Sequence, residues 1–270
     1  PDPSPYTFSE YIETLPDHER SALLRIDTLH RTPAALPPLL TNLNNILLVT
    51  DGGANASSGS FGWVLCHLDG TRLAKGSGPV FRHDPKSYRA KITGCRAGLL
   101  FLIHLFRFHN TTLPRGNLRI YCDNEGFVKK IAKFREYRIA AESCCLHSEW
   151  DLLISVHHLL KLFPSPPSLS HIQGHQDREL AFDDMSLPAQ LNVEADALAT
   201  AELTEYGTSQ PRVPFDPSSK VLLHIDGHTI TRGLDHAITN KLFLPDIRQY
   251  YCLRFAWTSD TWELDRKSVV

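Results

Sequence analysis

Three apolar runs of strand length follow one another between residues 46 and 80, and one long stretch of helical periodicity comes straight after them. Ile46 to Asp51, Gly59 to Leu68 and Thr71 to Val80 are separated by Gly and Asp-Gly turn signals. Tyr88, Ile92, Cys95, Leu99, Leu102 and Phe106 then recur at spacings of three and four, which is one face of a 3.6-residue helix. "NLRIYCDN" reads as a short strand ending in Asp123, and "SLSHIQGH" as another. Between and after them, "EGFVKKIAKFREYR", "SEWDLLISVHHLLKLF" and "AQLNVEADALATAEL" are helical, with the polar loop "QDRELAFDDMSLP" before the last. A meander, a helix, and two further strands set among helices predict an α/β layer around a mixed five-stranded sheet.

The flanks read differently. Residues 1–45 are punctuated by prolines; two short helical patterns, "YTFSEYIETL" and "DHERSALLRIDTLH", precede the loop "RTPAALPPLLTNLN". They are expected to form a helical connector without a core of its own. Residues 46–206 make the main domain. The three prolines of "GTSQPRVPFDPSS" mark 207–219 as a linker, and 220–270 should form a hairpin around Asp226-Gly227 followed by a helix over "LPDIRQYYCLRFAW".

Composition narrows the function. Lys+Arg 28 against Asp+Glu 30 gives a net charge of -2, so any nucleic-acid binding must come from a local patch. The cysteines at 66, 95, 122, 144, 145 and 252 contain no CxxC pair, which argues for buried thiols of an intracellular protein and against a zinc site. The longest apolar run, "AGLLFLIHLF", is too short to span a bilayer, so no membrane partner is expected. Nothing chooses between nucleus and cytoplasm.

The acids are the informative residues. In open α/β sheets, sites form at the carboxyl ends of strands, where side chains are presented over a rigid edge. Asp51 ends the first strand and Asp123 the fourth, and the last helix carries Asp196. An Asp-Gly pair alone is a hairpin signal. Several carboxylates at one rim have another use: hard divalent cations take oxygen ligands, and two of them can clamp the attacking and leaving oxygens of a phosphodiester.

The series "LLVTDGGA", "SYRAKITG", "IYCDN", "HIQGHQD" and "LNVEADALA" resembles ribonuclease H type 1 over residues 46–205, in the form carried by retroelement (retrotransposon) reverse transcriptase polyproteins. Segments flanking that domain are more faintly similar. The resemblance implies a ribonuclease H-like fold and endonucleolytic cleavage of the RNA strand of an RNA/DNA hybrid by two Mg2+ (or Mn2+) ions. It also implies an upstream reverse transcriptase domain as a partner, absent from this chain. Asp51, Asp123 and Asp196 fall on three of the family's four metal-binding carboxylates, and His175 on its loop histidine for proton transfer or product release. Gly53, Asn55, Ser87, Arg89, Asn124 and Asn192 fall at positions expected to face nucleic acid. Lys129, Lys130 and Lys133, with Arg135 and Arg138, form a basic stretch that is either a solvated face or a phosphate contact.

One position departs from the pattern. The fourth carboxylate should be a glutamate in a motif like S-x-R-A-E, and this chain reads Ser87-Tyr88-Arg89-Ala90-Lys91. An ammonium in place of a carboxylate changes the local charge by two units. Each unit-charge pair is worth about 4 kcal/mol at 4 Å and an effective dielectric near 20. Lys91 is therefore expected to act as a counter-ion for Asp51 and Asp123 and to weaken metal binding, unless Asp84, Glu125 or Glu142 substitutes for the lost acid. Two functions stay open: an impaired hybrid ribonuclease, and a non-catalytic nucleic-acid-binding or protein-docking module.

Overall fold

The computed structural model describes residues 7–29, 32–81, 85–136, 147–206 and 223–255, with positions 214, 216, 217, 258 and 261. At the centre lie three antiparallel strands, β2 (Ile46–Ala54), β3 (Gly59–His67) and β4 (Arg72–Pro79), extended on one side by the parallel strands β5 (Arg119–Cys122) and β6 (Ser168–His171). The long helix α3 (Ser87–Phe108) crosses from β4 to β5. The helices α4 (Glu125–Glu136) and α5 (Trp150–Lys161) connect β5 to β6, and α6 (Leu187–Tyr206) follows β6.

The sheet is covered on both faces. Ile46 and Leu48 of β2 join Phe61, Trp63 and Leu65 of β3 in a core with α3 and α5, whereas Leu47, Val49, Val64 and Cys66 pack on Leu191 and Ala195 of α6. Period-two alternation therefore sorts one strand between two cores, which is why "ILLV" is apolar throughout. Close helix approach depends on glycine. A Cβ on Gly62 would lie 2.2 Å from the Ala195 carbonyl oxygen, and one on Gly52 would lie 2.6 Å from the carbonyl carbon of Ala90.

Among the described residues the sheet has six strands, one more than the sequence suggested, in the order β1 (Arg25–Asp27)-β4-β3-β2-β5-β6. The extra strand is β1, inside the pattern "DHERSALLRIDTLH" that looked wholly helical. Only Asp17–Arg20 is helix there (α2); Arg25, Ile26 and Asp27 pair with Ser77, Gly76 and Lys75 and cover the outer edge of β4. The first helix, α1 (Phe8–Glu13), starts in a capping box. Glu10 N donates to Thr7 Oγ1 at 3.2 Å, and Thr7 N donates to the Glu10 carboxylate at 2.9 Å. Phe8 and Ile12, one turn apart, and Leu23, Leu36, Leu40 and Leu43 enter the same core as α3. Tyr11 Oη lies 2.9 Å from Nδ1 of the buried His104, whose Nε2 lies 3.3 Å from Glu19.

At the other end, β7 (Leu223–Ile225) and β8 (His228–Ile230) form the expected hairpin. Asp226 and Gly227 both have positive φ (50° and 81°), as a type I′ turn requires. The helix α8 (Leu244–Phe255) was expected; α7 (Leu234–Leu242) was not. Just after β8, Thr231 Oγ1 donates to Glu149 Oε2 at 2.6 Å, and Glu149 N donates to the Thr231 carbonyl at 2.6 Å. Among the described residues, no helix is long and apolar enough to cross a membrane. Cys66, Cys95 and Cys122 are buried free thiols and Cys252 is half-buried; Cys144 and Cys145 lie outside the described residues.

Candidate functional site

Parallel pairing of β2 with β5 sets Thr50 opposite Cys122. The next residues, Asp51 and Asp123, therefore leave the sheet at the same rim. Gly52 lets the first turns of α3 settle against the end of β2, and that contact brings Lys91 over the rim. Lys91 Nζ lies 2.6 Å from Asp123 Oδ1 and 2.7 Å from Asp123 Oδ2, and it also bonds Asp51 Oδ1. Asp51 Oδ1 accepts from Gly52 N at 2.6 Å, and Asp51 Oδ2 accepts from Asn192 Nδ2 of α6 at 3.2 Å. The cluster joins both strands and both covering helices.

Its charges are unequal: two carboxylates and one ammonium. Burial pushes the Asp51 carboxyl above its usual range; Lys91 opposes the shift and the Asp123 carboxylate adds to it. Burial works against the Lys91 ammonium, but Asp51 and Asp123 outweigh it and hold its pKa above that of an ordinary lysine. Lys91 therefore stays charged through the neutral range.

The other expected site residues divide into several groups. Asp196, one turn beyond Asn192 on α6, is half-buried and has no hydrogen-bond or ion-pair partner among the described residues. His175 is exposed, with a left-handed backbone (φ 55°). The loop before it touches the site: a Cβ on Gly174 would lie 2.7 Å from Asp123 Oδ2. Ser87 is exposed on the first turn of α3, and Gly53 has open space around it. Lys133 is exposed, Lys129 pairs with Glu125 at 2.8 Å, and Lys130 is half-buried with its Nζ 5.1 Å from the centroid of the Tyr88 ring. The Arg135 side chain and Arg138 lie outside the described residues, as do Asp84 and Glu142.

One expectation changes, and two further residues have local bonds of their own. Arg89 does not face a ligand; its side chain is 2% exposed and bonds Asp151 at 2.7 and 3.0 Å and Glu149 at 2.7 Å. A guanidinium engaged by two buried carboxylates holds α3 to α5 and has no surface to offer nucleic acid. Asn55 is a turn residue, its Oδ1 accepting from Ser57 N and Ser58 N at 2.9 and 2.7 Å. Asn124 opens α4, accepting from Phe127 N at 2.9 Å. Glu149 and Asp151, not singled out from the sequence, lie about sixty residues from Arg89 (60 and 62), beyond any local pattern.

The chemistry of the rim follows from its donors. All four oxygens of Asp51 and Asp123 already accept hydrogen bonds, three of them from Lys91. Among the described residues, no group of three or more His, Cys, Asp or Glu side chains is placed to hold a metal ion. A divalent cation between the aspartates would meet an ammonium where a carboxylate ligand is needed. The residues present do not fit a two-metal centre.

The fold is a mixed sheet covered by helices on both faces, with β1 at its edge. No protein-family model matches the chain, and no curated protein matches it. Solved structures do. The chain is similar to RNase H1 of the halophilic archaeon Halobacterium salinarum, at 18% identity and a TM-score of 0.40 over 59% of this chain and 98% of that one. It is similar to LC11-RNase H1 isolated from compost, crystallised in complex with RNA/DNA hybrid, at 15% identity and a TM-score of 0.44 over 60% and 99%. It is also similar to the RNase H domain of prototype foamy virus, at 17% identity and a TM-score of 0.44 over 61% and 96%.

Proposed function

We propose that this chain is a nucleic-acid-binding domain of ribonuclease H-type, directed at RNA/DNA hybrids, in which Lys91 takes the place of the metal centre and blocks cleavage. It would be part of a retroelement protein. The observation that carries this reading is the Lys91 ammonium bonded to three oxygens of Asp51 and Asp123. A fixed internal cation neutralises part of the rim's charge while supplying no Lewis acid and no activated water.

Hybrid binding draws support from what surrounds that rim. Ser87 lies one turn before Lys91, and the loop carrying exposed His175 touches Asp123 through Gly174. Helix α4 starts two residues after Asp123 and carries Lys129 and Lys133 one turn apart, both exposed. Donors around this rim suit phosphate and 2′-hydroxyl contacts of an A-form-like duplex.

The test pairs the unmodified chain with Lys91→Glu. Binding to a labelled hybrid is followed by fluorescence anisotropy in EDTA, cleavage on a gel with Mg2+ or Mn2+, and ion uptake by calorimetry. The unmodified chain should bind the hybrid without metal, leave it intact and take up no ion tightly; Lys91→Glu should gain ion uptake. Cleavage by the unmodified chain, or tight Mg2+ binding at neutral pH, would overturn the blocked site. Failure to bind any nucleic acid would replace the reading with a protein-docking module.

A further inference from the structure

The last helix is apolar on its outer side. In α8 the half-buried residues Leu244, Arg248 and Cys252 recur every four positions, so the inward stripe contains an arginine. Ile247, Tyr250, Tyr251, Leu253 and Phe255, with Phe243 just before the helix, are exposed, Leu253 to 78%. At 3.6 residues per turn Phe243, Ile247, Tyr250 and Leu253 fall on the half of the helix opposite the inward stripe, whereas Tyr251 lies beside that stripe and Phe255 in line with it; an apolar outer half is the reverse of an ordinary surface helix. With Leu242 at the end of α7 these four leave roughly 500 Å² of apolar surface, taking about 150–250 Å² per fully exposed aromatic side chain. That lies in the upper part of the ~300–600 Å² of the largest patch on a typical monomer, a size that often marks a functional surface.

The charges on this face indicate what covers it. Asp246, Tyr250 and Arg254 form a row along α8 at spacings of four. Asp246 and Arg254 are both exposed, and neither makes an ion pair among the described residues. The row is symmetric about Tyr250: Asp246 and Arg254 stand four residues to either side, and Ile247 and Leu253 three. If two α8 helices lie antiparallel across a two-fold axis at Tyr250, each Asp246 faces Arg254 of the other copy, and each Ile247 faces its Leu253.

We propose that α8 is a self-association helix whose exposed face is covered by a second copy of this chain, antiparallel about Tyr250. The face lies outside residues 46–205, which carry the ribonuclease H resemblance, so the proposal is independent of the nucleic-acid reading.

Sedimentation of the whole chain between about 1 and 100 μM tests it, a range in which a standard interface associates. A monomer–dimer equilibrium is expected. Asp246→Arg alone, or Arg254→Asp alone, sets like charges against each other twice per dimer and should weaken association about tenfold or more. The double reversal should restore it to within about threefold. Unchanged far-UV circular dichroism shows that each variant is folded. As a second readout, Tyr250→Cys should cross-link to itself on oxidation, whereas Gln249→Cys, turned about 100° around the helix from it, should not. A chain that stays monomeric across this range, or a dimer indifferent to the charge reversals, overturns the proposal, even if the same face captures another macromolecule.

Discussion

Lys91 Nζ lies 2.6 Å from one oxygen of Asp123 and 2.7 Å from the other, although the two residues are 32 positions apart in the chain. The same ammonium bonds Asp51 at the end of the neighbouring strand. One side chain of α3 thus stitches two parallel strands together where, without it, two carboxylates would face each other. The packing at the rim depends on that charge.

Lys91→Met should therefore destabilise the chain, because removing one partner of a buried ion pair costs about 3–5 kcal/mol. Urea unfolding at pH 7 measures the loss. It should shrink under acid, where the Asp51 carboxyl, left without its ammonium partner, becomes protonated. Asp51 already has a raised pKa, so protonation favours the folded state. The pKa of Lys91 is also raised in the folded protein. Its contribution is thus complete below the unfolded lysine value of about 10.4 and lost as pH rises through the higher folded value. The difference between the unmodified chain and Lys91→Met should hold from neutral pH to about 10 and narrow above that. A difference that disappears between pH 6 and 8 would show that Lys91 is not the buried counter-ion.

Arg89 should matter for stability and not for ligand binding. Arg89→Met strands Glu149 and Asp151 in the core and should cost about 3–5 kcal/mol by denaturant unfolding. Arg89→Lys should recover little, since one ammonium cannot match the two-pronged contact with Asp151. Thr231→Val removes one hydrogen bond to Glu149 and should cost about 1 kcal/mol. If that change has no effect on stability, the hairpin is not anchored through Thr231.

Two glycines of the site region should respond differently to alanine. Gly62→Ala places a methyl group 2.2 Å from the Ala195 carbonyl oxygen and 2.9 Å from Leu198 Cβ, forcing α6 away from the sheet and Asn192 away from Asp51. A loss of about 1–3 kcal/mol is expected, as for an overpacked core. Gly53→Ala meets nothing within 4 Å and should stay within about 0.5 kcal/mol of the unmodified chain. Thermal unfolding of the pair distinguishes a steric requirement from a general intolerance of this region.

The basic face of α4 makes a salt-dependence prediction. If Lys129 and Lys133 touch phosphates, Lys129→Ala and Lys133→Ala should each flatten the plot of log affinity for a hybrid against log salt by about one unit of slope. Lys130→Ala should change it less, because that ammonium is half-buried over Tyr88 and burial lowers its pKa. Equal slopes in all variants would assign α4 to solvent.

Local pattern was enough for the elements that build the rim. Alternation and turn residues located β2, β3 and β4, the 3.6 period located α3, and Asp226-Gly227 located the terminal hairpin. The spacing of carboxylates at strand ends pointed to Asp51 and Asp123, and the phase of α3 put Lys91 within reach of both. These signals are short-range, set by the twofold repeat of a strand and the 3.6-residue turn of a helix, so they can be read from the letters.

The remaining features depended on partners far away in the chain. Arg25, Ile26 and Asp27 form a strand because the edge of β4 offers Ser77, Gly76 and Lys75 unpaired backbone groups, although their own neighbours look helical. Arg89 belongs to the core because Glu149 and Asp151 meet it there, and the same letters could equally have faced a phosphate. Asp196 reads like a third member of the acidic set, yet in the folded chain it makes no bond to Asp51, Asp123 or Lys91. The sequence determined the strands and helices that build the rim and which charges end them. Tertiary structure alone decided which of those charges meet, because an ion pair depends on distances of a few ångströms that no local periodicity records.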